Sequence, residues 1–304
     1  LEKAINKDTL CVIPNHLFGI PADMERIKEI CKDKDIFIVE DAAQAMGGSY
    51  KGKWLGTLGD VGFFSLGRGK NITCGSGGII ITNSDQIANA IAMCYSKLEK
   101  PTFLEDIKEF LQVMLMNLFI RPSLYWLPAG LPFLKLGQTI FYKDFHIKKL
   151  SGIKAGLLHG WQKRLEKINQ IRKENSEYFN ERLRLRLRLS NGNAQSFSPS
   201  PLAGEGWGEG GYLRLPVLLP NKEERDNLFS LSNKKGMGLS PMYPTPINEI
   251  KELNGTFNGQ SFPSAKKASE SLITIPTHHL LSEKDKEKIA KYIGLRISDF
   301  EFLM

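Results

Sequence analysis

The sequence has 304 residues, 41% of them hydrophobic and 24% charged, which is an ordinary composition for a globular protein. Lys and Arg (41) outnumber Asp and Glu (33), so the formal net charge is +8. This excess is diffuse and no nucleic-acid-binding motif accompanies it, so it favours an anionic small substrate or an anionic membrane surface and argues against nucleic acid.

Strands and helices alternate over the first hundred residues. Apolar runs predict strands at 10–14, 36–39, 61–65 and 79–82, and apolar residues at helical spacing predict helices at 21–34 and 86–98. The run at 36–39 is typical of a parallel strand buried on both faces. The pattern predicts a layered α/β domain with its functional groups at the carboxyl ends of the strands. Because the chain opens on the end of a helix, we expect further sequence before residue 1.

Residues 110–134 form an unusually apolar segment that Arg121 and three prolines interrupt. The unbroken part is too short to span a bilayer. One interpretation is a helix and loop buried against the domain or a partner subunit. The alternative is an interfacial segment that touches a membrane, with Tyr125 and Trp126 at the level of the headgroups.

A long amphipathic helix is predicted over 155–183. It would turn six residues toward a core: Leu158, Trp161, Leu165, Ile168, Ile171 and Tyr178. The alternation LRLRLRL that follows would suit an edge strand. The Gly-, Pro- and Ser-rich stretch after it predicts a flexible, repeat-like insert at about 184–211.

A smaller α/β unit is predicted from Tyr212 onward, and its last helix begins at a capping box formed by Ser282 and Asp285. The predicted organisation is therefore a partial cofactor-binding large domain at 1–150, a connecting helix at 151–185 and a small C-terminal domain at 186–304.

Asp41 follows directly on the buried strand in IFIVEDAAQA, so its carboxylate emerges at the strand's carboxyl end. An anion at that place can keep the nitrogen of a pyridine cofactor protonated, which lets the ring accept electrons. The alternative is an ordinary helix N-cap. Gln44, three residues on, either contacts such a ring or is a polar residue of the next turn.

Lys70 lies in FFSLGRGK, on the loop after the third predicted strand, among glycines that allow close approach to a flat ring and its phosphate. A lysine that forms a Schiff base needs such a setting, near groups that lower its pKa. Ser65 can donate its hydroxyl to the phosphate. Arg68 either adds positive charge or is a solvated loop residue.

These motifs, in this order, resemble the DegT/StrS family of fold-type-I sugar aminotransferases, which use pyridoxal 5′-phosphate (PLP). The resemblance makes Asp41 the aspartate at the ring nitrogen, Gln44 the ring-contacting glutamine, Ser65 the phosphate-binding serine and Lys70 the catalytic Schiff-base lysine. NHLFGIPADM resembles a further family stretch and adds His16 as a candidate cofactor contact. SLITIPTHHLLSEKDKEKI resembles the family's closing segment.

The resemblance implies a three-layer α/β/α PLP-transferase large domain, N-terminally incomplete, with a smaller C-terminal α/β domain. It also implies transamination, in which an amino-acid donor, glutamate, supplies the amino group for a nucleotide-linked keto sugar. Lys70 would move the proton as general base and acid. A homodimer in amino-sugar or cell-surface polysaccharide synthesis is implied, with peripheral membrane contact as a further expectation.

Two features depart from the family pattern. The glycine-containing N-terminal segment that binds the cofactor phosphate is absent, and Ile147 stands where the family has an Asn that reaches the partner subunit; His146 is the candidate substitute. These departures motivate the alternative of a catalytically impaired relative with a membrane or assembly role. The five histidines show no metal spacing. The four cysteines form no CxxC pair, which argues against zinc and disulfides and predicts a reducing compartment, the cytoplasm.

Overall fold

The computed structural model describes residues 1–119, 124, 127, 141, 144–191 and 212–298. The described part of the chain divides into two compact units. The first comprises the described residues up to 124 together with 146–173 and 212–213. The second comprises the remaining described residues.

The first unit is built on a four-stranded sheet. The unit has six strands: β1 (Cys11–Val12), β2 (Phe37–Asp41), β3 (Ser49–Tyr50), β4 (Lys53–Trp54), β5 (Val61–Ser65) and β6 (Gly78–Ile81). The four-stranded sheet has the order β1-β2-β5-β6, and β3 pairs only with β4. β1, β2 and β5 run parallel, whereas β6 is antiparallel to β5. The carboxyl ends of three parallel strands therefore meet at one edge of the sheet.

Five helices accompany the sheet along the chain: α1 (Met24–Cys31), α2 (Asp85–Ser96), α3 (Phe103–Phe119), α4 (Gly152–Leu157) and α5 (Trp161–Asn191). α1 packs on the sheet through Met24 and Cys31, which meet Ile38 of β2 in one buried cluster. A second cluster joins Leu66 and Cys74, on the loop between β5 and β6, to Leu165 of α5. One cluster thus holds the sheet at β2, and the other holds the β5–β6 loop.

Several predicted element boundaries were wrong in this unit. α1 begins at Met24 rather than 21, because the Asp23 side chain accepts a hydrogen bond from the Arg26 N–H at 3.1 Å and caps the helix. It ends before Asp33, whose φ of 58° is left-handed. β2 is not buried along its whole length, since Phe37 is 44% exposed. β5 agrees with its prediction residue by residue.

The single long helix predicted over 155–183 is two helices. The chain breaks at Leu158–Gly160, where Gly160 adopts a φ of 65°, and α5 then continues to Asn191. Trp161, predicted to face the core, is 42% exposed. The Leu/Arg alternation is helical rather than an edge strand, because Leu and Arg are good helix formers that extend an existing helix. The rest of the predicted insert, 192–211, lies outside the described residues.

α3 contains residues 110–119 of the apolar segment, and most of the remainder, including Tyr125 and Trp126, lies outside the described residues. This helix was expected to be buried against the domain or a partner subunit. Burial against its own domain is wrong for most of its apolar side chains, which are exposed, and burial against a partner subunit stays a prediction. None of the helices in the described ranges is long and apolar enough to cross a membrane.

The second unit contains β7 (Arg214–Leu218), α6 (Lys222–Lys235), α7 (Pro263–Ser271), β8 (Leu272–Pro276) and α8 (Glu283–Ser298), together with the C-terminal part of α5. β7 and β8 pair antiparallel and bury Leu215 and Ile273. The predicted capping box is confirmed: Ser282 Oγ accepts from the Asp285 N–H at 3.2 Å, and Asp285 Oδ2 accepts from the Ser282 N–H at 3.1 Å. The predicted domain boundaries stay a prediction.

Candidate functional site

The candidate site lies at the carboxyl edge of the parallel strands. Asp41 is the last residue of β2, and Ser65 is the last residue of β5. Asn15, which follows β1, forms a parallel bridge with Asp41. Because β1, β2 and β5 are parallel neighbours, three polar side chains from separate parts of the sequence come together at this edge.

The Asp41 carboxylate is held in a fixed orientation by two hydrogen bonds. Asn15 Nδ2 donates to Oδ2 at 2.7 Å, and the Ala43 N–H donates to Oδ1 at 3.0 Å. The alternative that Asp41 caps a helix is wrong, since residues 42–48 form turns that lead into β3. Each carboxylate oxygen retains a second lone pair for a further donor.

Lys70 lies on the closed loop 66–77 between β5 and β6. The Leu66 N–H donates to Gly77 O at 2.9 Å and the Cys74 N–H donates to Leu66 O at 3.2 Å, so the loop closes on itself. Burial lowers the pKa of Lys70 because it disfavours the ammonium form, and the negative charge of Asp41 opposes part of that shift. Lys70 and Asp41 are therefore close enough to interact. Lys70 Nζ makes no hydrogen bond with any residue in the described ranges.

Ser65 presents its hydroxyl at the start of the same loop. Its Oγ accepts a hydrogen bond from the Gly67 N–H at 3.2 Å, and its hydroxyl hydrogen bonds to no described residue. A Cβ added at Gly67 would stand 3.2 Å from that Oγ, so a side chain there would crowd the hydroxyl. Gly69 has a φ of 75°, which favours glycine. The loop backbone can therefore approach a flat ligand closely.

Gln44 lies next to this edge but is mostly buried. Its Oε1 accepts a hydrogen bond from the backbone N–H of Phe18 at 3.0 Å. Phe18 is fully buried and has a φ of 59°, a conformation that bulky residues rarely adopt. Gln44 thus holds the backbone of the chain segment that follows Asn15, a role that the sequence did not indicate.

His16 is fully buried and both of its ring nitrogens are engaged. Nδ1 accepts from the Ala22 N–H at 3.1 Å, which leaves the proton on Nε2, and Nε2 lies 2.9 Å from Glu40 Oε2. The geometry therefore puts a ring proton on Nε2, and both nitrogens are engaged inside the protein. A cofactor contact at His16 stays a prediction.

Glu40 is the residue of this region that sequence reasoning missed. It is fully buried, and besides His16 its carboxylate accepts hydrogen bonds from three backbone N–H groups, those of Gly56, Leu58 and Gly59. Burial opposes ionisation, but the bonds from His16, Gly59 and Gly56 together lower the pKa of Glu40. The signal in the sequence was a second acidic residue at the end of a strand predicted to be buried.

A second missed contact secures the lysine loop. Asn71, directly after Lys70 and nearly fully buried, donates from Nδ2 to Asn169 Oδ1 of α5 at 2.6 Å. Asn169 Nδ2 donates to Met46 O at 3.0 Å. The loop that carries Lys70 and the turn after Gln44 are thereby fastened to one helix. No sequence pattern relates residues 98 positions apart.

The structure does not bring the remaining two candidates into this arrangement. Arg68 is exposed and lines a small open cavity with Gly75, Ser76 and Glu109. His146 is exposed and makes no hydrogen bond within the described part of the chain. Ile147 is 63% exposed. No group of three His, Cys, Asp or Glu side chains suited to a metal ion occurs among the described residues.

A half-buried amine with a lowered pKa, an oriented carboxylate and a serine hydroxyl beside a glycine loop define a class of site. It is the type that an aldehyde-bearing pyridine phosphate requires: an amine for the aldehyde, an anion for the ring nitrogen and donors for the phosphate. The residues present therefore fit PLP.

The comparisons with known proteins agree with this class. The chain matches the sequence model of the DegT/DnrJ/EryC1/StrS aminotransferase family over residues 1–112 and 139–294. It belongs to that family, whose members are PLP-dependent sugar aminotransferases, as the motifs predicted.

Two curated relatives are similar over shorter stretches. The chain is 45% identical over 83 residues to GDP-perosamine synthase of Escherichia coli O157:H7, which is 27% of this chain and 23% of the relative. It is 42% identical over 94 residues to dTDP-3-amino-3,4,6-trideoxy-alpha-D-glucose transaminase of Streptomyces venezuelae, which is 31% of this chain and 25% of the relative. The chain thus matches about a quarter of the length of these relatives.

A solved structure extends the likeness to nearly the whole chain. The Helicobacter pylori aminotransferase PseC, involved in the biosynthesis of pseudoaminic acid, superimposes with a TM-score of 0.72 at 19% identity. The superposition covers 99% of this chain and 70% of PseC. At this identity the likeness concerns the fold, and it confirms the predicted PLP-transferase class.

Proposed function

We propose that this protein is a PLP-dependent aminotransferase that transfers an amino group from an amino acid, glutamate, to a nucleotide-linked keto sugar. The observation that carries the proposal is the half-buried Lys70 amine beside the oriented Asp41 carboxylate at one strand edge. Family membership supports the reaction class. The names of the relatives, a GDP-sugar synthase and a dTDP-sugar transaminase, support the substrate class.

Three side chains would hold the cofactor. Lys70 would attach it through Nζ, Asp41 would keep a proton on its ring nitrogen, and Ser65 would donate its hydroxyl to the phosphate. The lowered pKa of Lys70 favours the neutral amine, which is the form that reacts with an aldehyde. The two hydrogen bonds on Asp41 fix the orientation of the carboxylate that would pair with a protonated ring.

When bound, PLP withdraws electrons from the substrate carbon that bears the amino group. The chain's own residues would supply the proton transfer. Once the Lys70 amine is released from the cofactor, its Nζ would take the proton from that carbon and return a proton as the amino group moves. Asn71 and the loop-closing bonds hold the backbone of the loop that carries Lys70. Homodimer formation, cytoplasmic location and a role in polysaccharide or amino-sugar synthesis belong to the same proposal.

The proposal is tested by titrating the purified chain with PLP and recording its visible absorbance. We expect a protein-bound band that Lys70→Ala abolishes, together with amino transfer from glutamate to nucleotide-linked keto sugars. Lys53→Ala is the matched control, since Lys53 is an exposed lysine of the hairpin strand β4. A chain that stays colourless with excess PLP, or a Lys70→Ala variant that keeps the band, contradicts the proposal.

A further inference from the structure

The amphipathic helix α3 presents its apolar face outward. The side chains at 106, 109, 113 and 116 are half-buried toward the protein, and two of these are the acidic Asp106 and Glu109. The outward side chains are large, apolar and exposed: Phe103, Leu104, Ile107, Phe110, Leu111, Met114, Leu115 and Leu118. A surface helix of a globular protein turns its apolar stripe toward the core, whereas α3 exposes eight large apolar side chains and half-buries only three others, Val113, Met116 and Phe119.

The eight outward residues, here called the α3 stripe, are continuous. At about 100° per residue they fall within an arc of about 140°, and no polar residue interrupts it. At about 1.5 Å per residue the helix is about 25 Å long. An apolar surface of this extent, bordered by polar residues, marks an interaction site rather than scattered exposure.

The charges around α3 are not those of an acidic surface. Glu105 pairs with Lys148 at 2.7 Å and Glu109 pairs with Lys154, so both carboxylates are neutralised from the protein side. Lys108 lies at one edge of the α3 stripe, is exposed and forms no ion pair with any residue that the structure describes. Asp106, on the half-buried side of the helix, is the other α3 charge without an ion pair among the described residues, so the unpaired charge on the exposed side, beside the stripe, is that of Lys108; the net charge of the whole chain is +8.

The family match covers α3 only in part. It stops at residue 112 and resumes at 139, so residues 103–112 lie inside the matched range and 113–119 lie outside it. The sequence stays apolar as far as residue 134, with Arg121 its one charged residue after Glu109, and it contains Tyr125 and Trp126, residues favoured at the membrane interface.

We propose that the α3 stripe docks on the surface of an anionic phospholipid membrane. The helix would lie parallel to the bilayer, with its apolar side chains below the headgroups and Lys108 among the phosphates. A lipid surface accepts a continuous apolar arc of this width without a shaped partner, and the bordering lysine complements anionic headgroups. A second copy of the chain, paired stripe to stripe, is the competing occupant.

The test is flotation of the whole chain with vesicles of phosphatidylcholine, with and without roughly 30% phosphatidylglycerol. We expect the wild type to float, and to float more with the anionic lipid. Leu111→Gln combined with Leu115→Gln removes two apolar contacts without changing charge and should weaken vesicle binding at least about tenfold. Met93→Gln is the matched control, because Met93 is an exposed apolar residue of another helix, α2, and its replacement should leave binding unchanged.

A second variant, Phe103→Gln with Leu104→Gln, repeats the test at the other end of the stripe, and thermal unfolding checks that each variant is folded. Wild type that stays in the soluble fraction with both kinds of vesicle overturns the proposal, and so does a folded double variant that floats as well as wild type. If light scattering shows a dimer that the double variants dissociate, and no vesicle binding, the occupant is a second copy and the membrane proposal is wrong. None of these readouts depends on PLP or on catalysis.

Discussion

Asn15 Nδ2 donates a hydrogen bond to Asp41 Oδ2 at 2.7 Å, and this bond joins the chain after β1 to the end of β2. It selects one orientation of the carboxylate that the proposed function assigns to the ring nitrogen of PLP. The Ala43 N–H holds the other oxygen of the same carboxylate at 3.0 Å. Asn15 is therefore a positioning residue for Asp41.

We predict that Asn15→Leu weakens PLP binding about threefold to tenfold, because a hydrogen bond of this kind contributes about 0.5–1.5 kcal/mol. The measurement is a PLP titration followed by absorbance. Asn258→Leu, at an exposed amide without a side-chain hydrogen bond to described residues, is the control. Equal affinity of Asn15→Leu and wild type would show that the bond does not orient Asp41.

Glu40→Gln should destabilise the fold by about 3 kcal/mol at neutral pH, because a fully buried carboxylate with four hydrogen bonds loses its charge and at least one acceptor. The pKa of Glu40 is lowered from its ordinary value of 4.5. Its stabilising contribution is therefore complete above pH 4.5 and is lost as the pH falls through the folded-state pKa.

Urea unfolding of wild type and Glu40→Gln over a series of pH values measures this. The difference in unfolding free energy should be largest at neutral pH and should shrink in acid. Glu29→Gln, at an exposed carboxylate on α1, should differ little from wild type throughout. A difference that does not change with pH would mean that Glu40 is not ionised in the folded protein.

Lys70 should make the free energy of unfolding depend on pH in the alkaline range. Burial lowers its pKa below the ordinary 10.5, so between the two pKa values the unfolded chain binds more protons than the folded chain. The stability of wild type without cofactor, relative to Lys70→Met, should therefore rise with pH toward 10.5. Urea unfolding at about pH 7 and about pH 10 tests this, with Lys53→Met as the control that shows no such rise. A difference in unfolding free energy between wild type and Lys70→Met that does not change with pH would mean that Lys70 is exposed to solvent.

Gly62 should tolerate no side chain. A Cβ at this position of β5 would lie 1.9 Å from Gly56 O, in the turn that donates its backbone N–H groups to Glu40. Gly62→Ala should cost at least about 2 kcal/mol of unfolding free energy, because backbone has to move. Gly156→Ala, in α4 with nothing within 4 Å, should instead stabilise by about 0.5–1 kcal/mol. Denaturant unfolding of both variants measures the two changes in unfolding free energy.

The sequence predicted the parts of the fold that local chemistry determines. β5 was correct because its apolar run is bounded on both sides, and the last helix was correct because the Ser282–Asp285 capping box fixes its start. The break at Gly160 was missed, since the apolar spacing continues across it. The helical state of LRLRLRL was missed because a short alternation of Leu and Arg is compatible both with a strand and with the continuation of a preceding helix.

A sequence motif can indicate the residues of the candidate site. It cannot indicate the tertiary contacts that surround them. Asp41 was predicted from its position at a strand end and Lys70 from the glycine-rich loop after β5. The two are close enough to interact, and their roles stay a prediction. The burial of His16 against Glu40 and the bond between Asn71 and Asn169 depend on residues that meet only in the folded chain. The outward stripe of α3 was likewise invisible, because the sequence gives a helix's apolar face but not the direction in which it points.

The most direct test of the account is to find where the cofactor attaches. The chain is incubated with PLP, reduced with borohydride and digested, and the modified lysine is located by mass spectrometry. We predict a single pyridoxyl group on Lys70, which is absent in Lys70→Met. Modification spread over exposed lysines such as Lys53, or a Lys70 peptide that stays unmodified, would contradict the central claim that Lys70 and Asp41 form a PLP site.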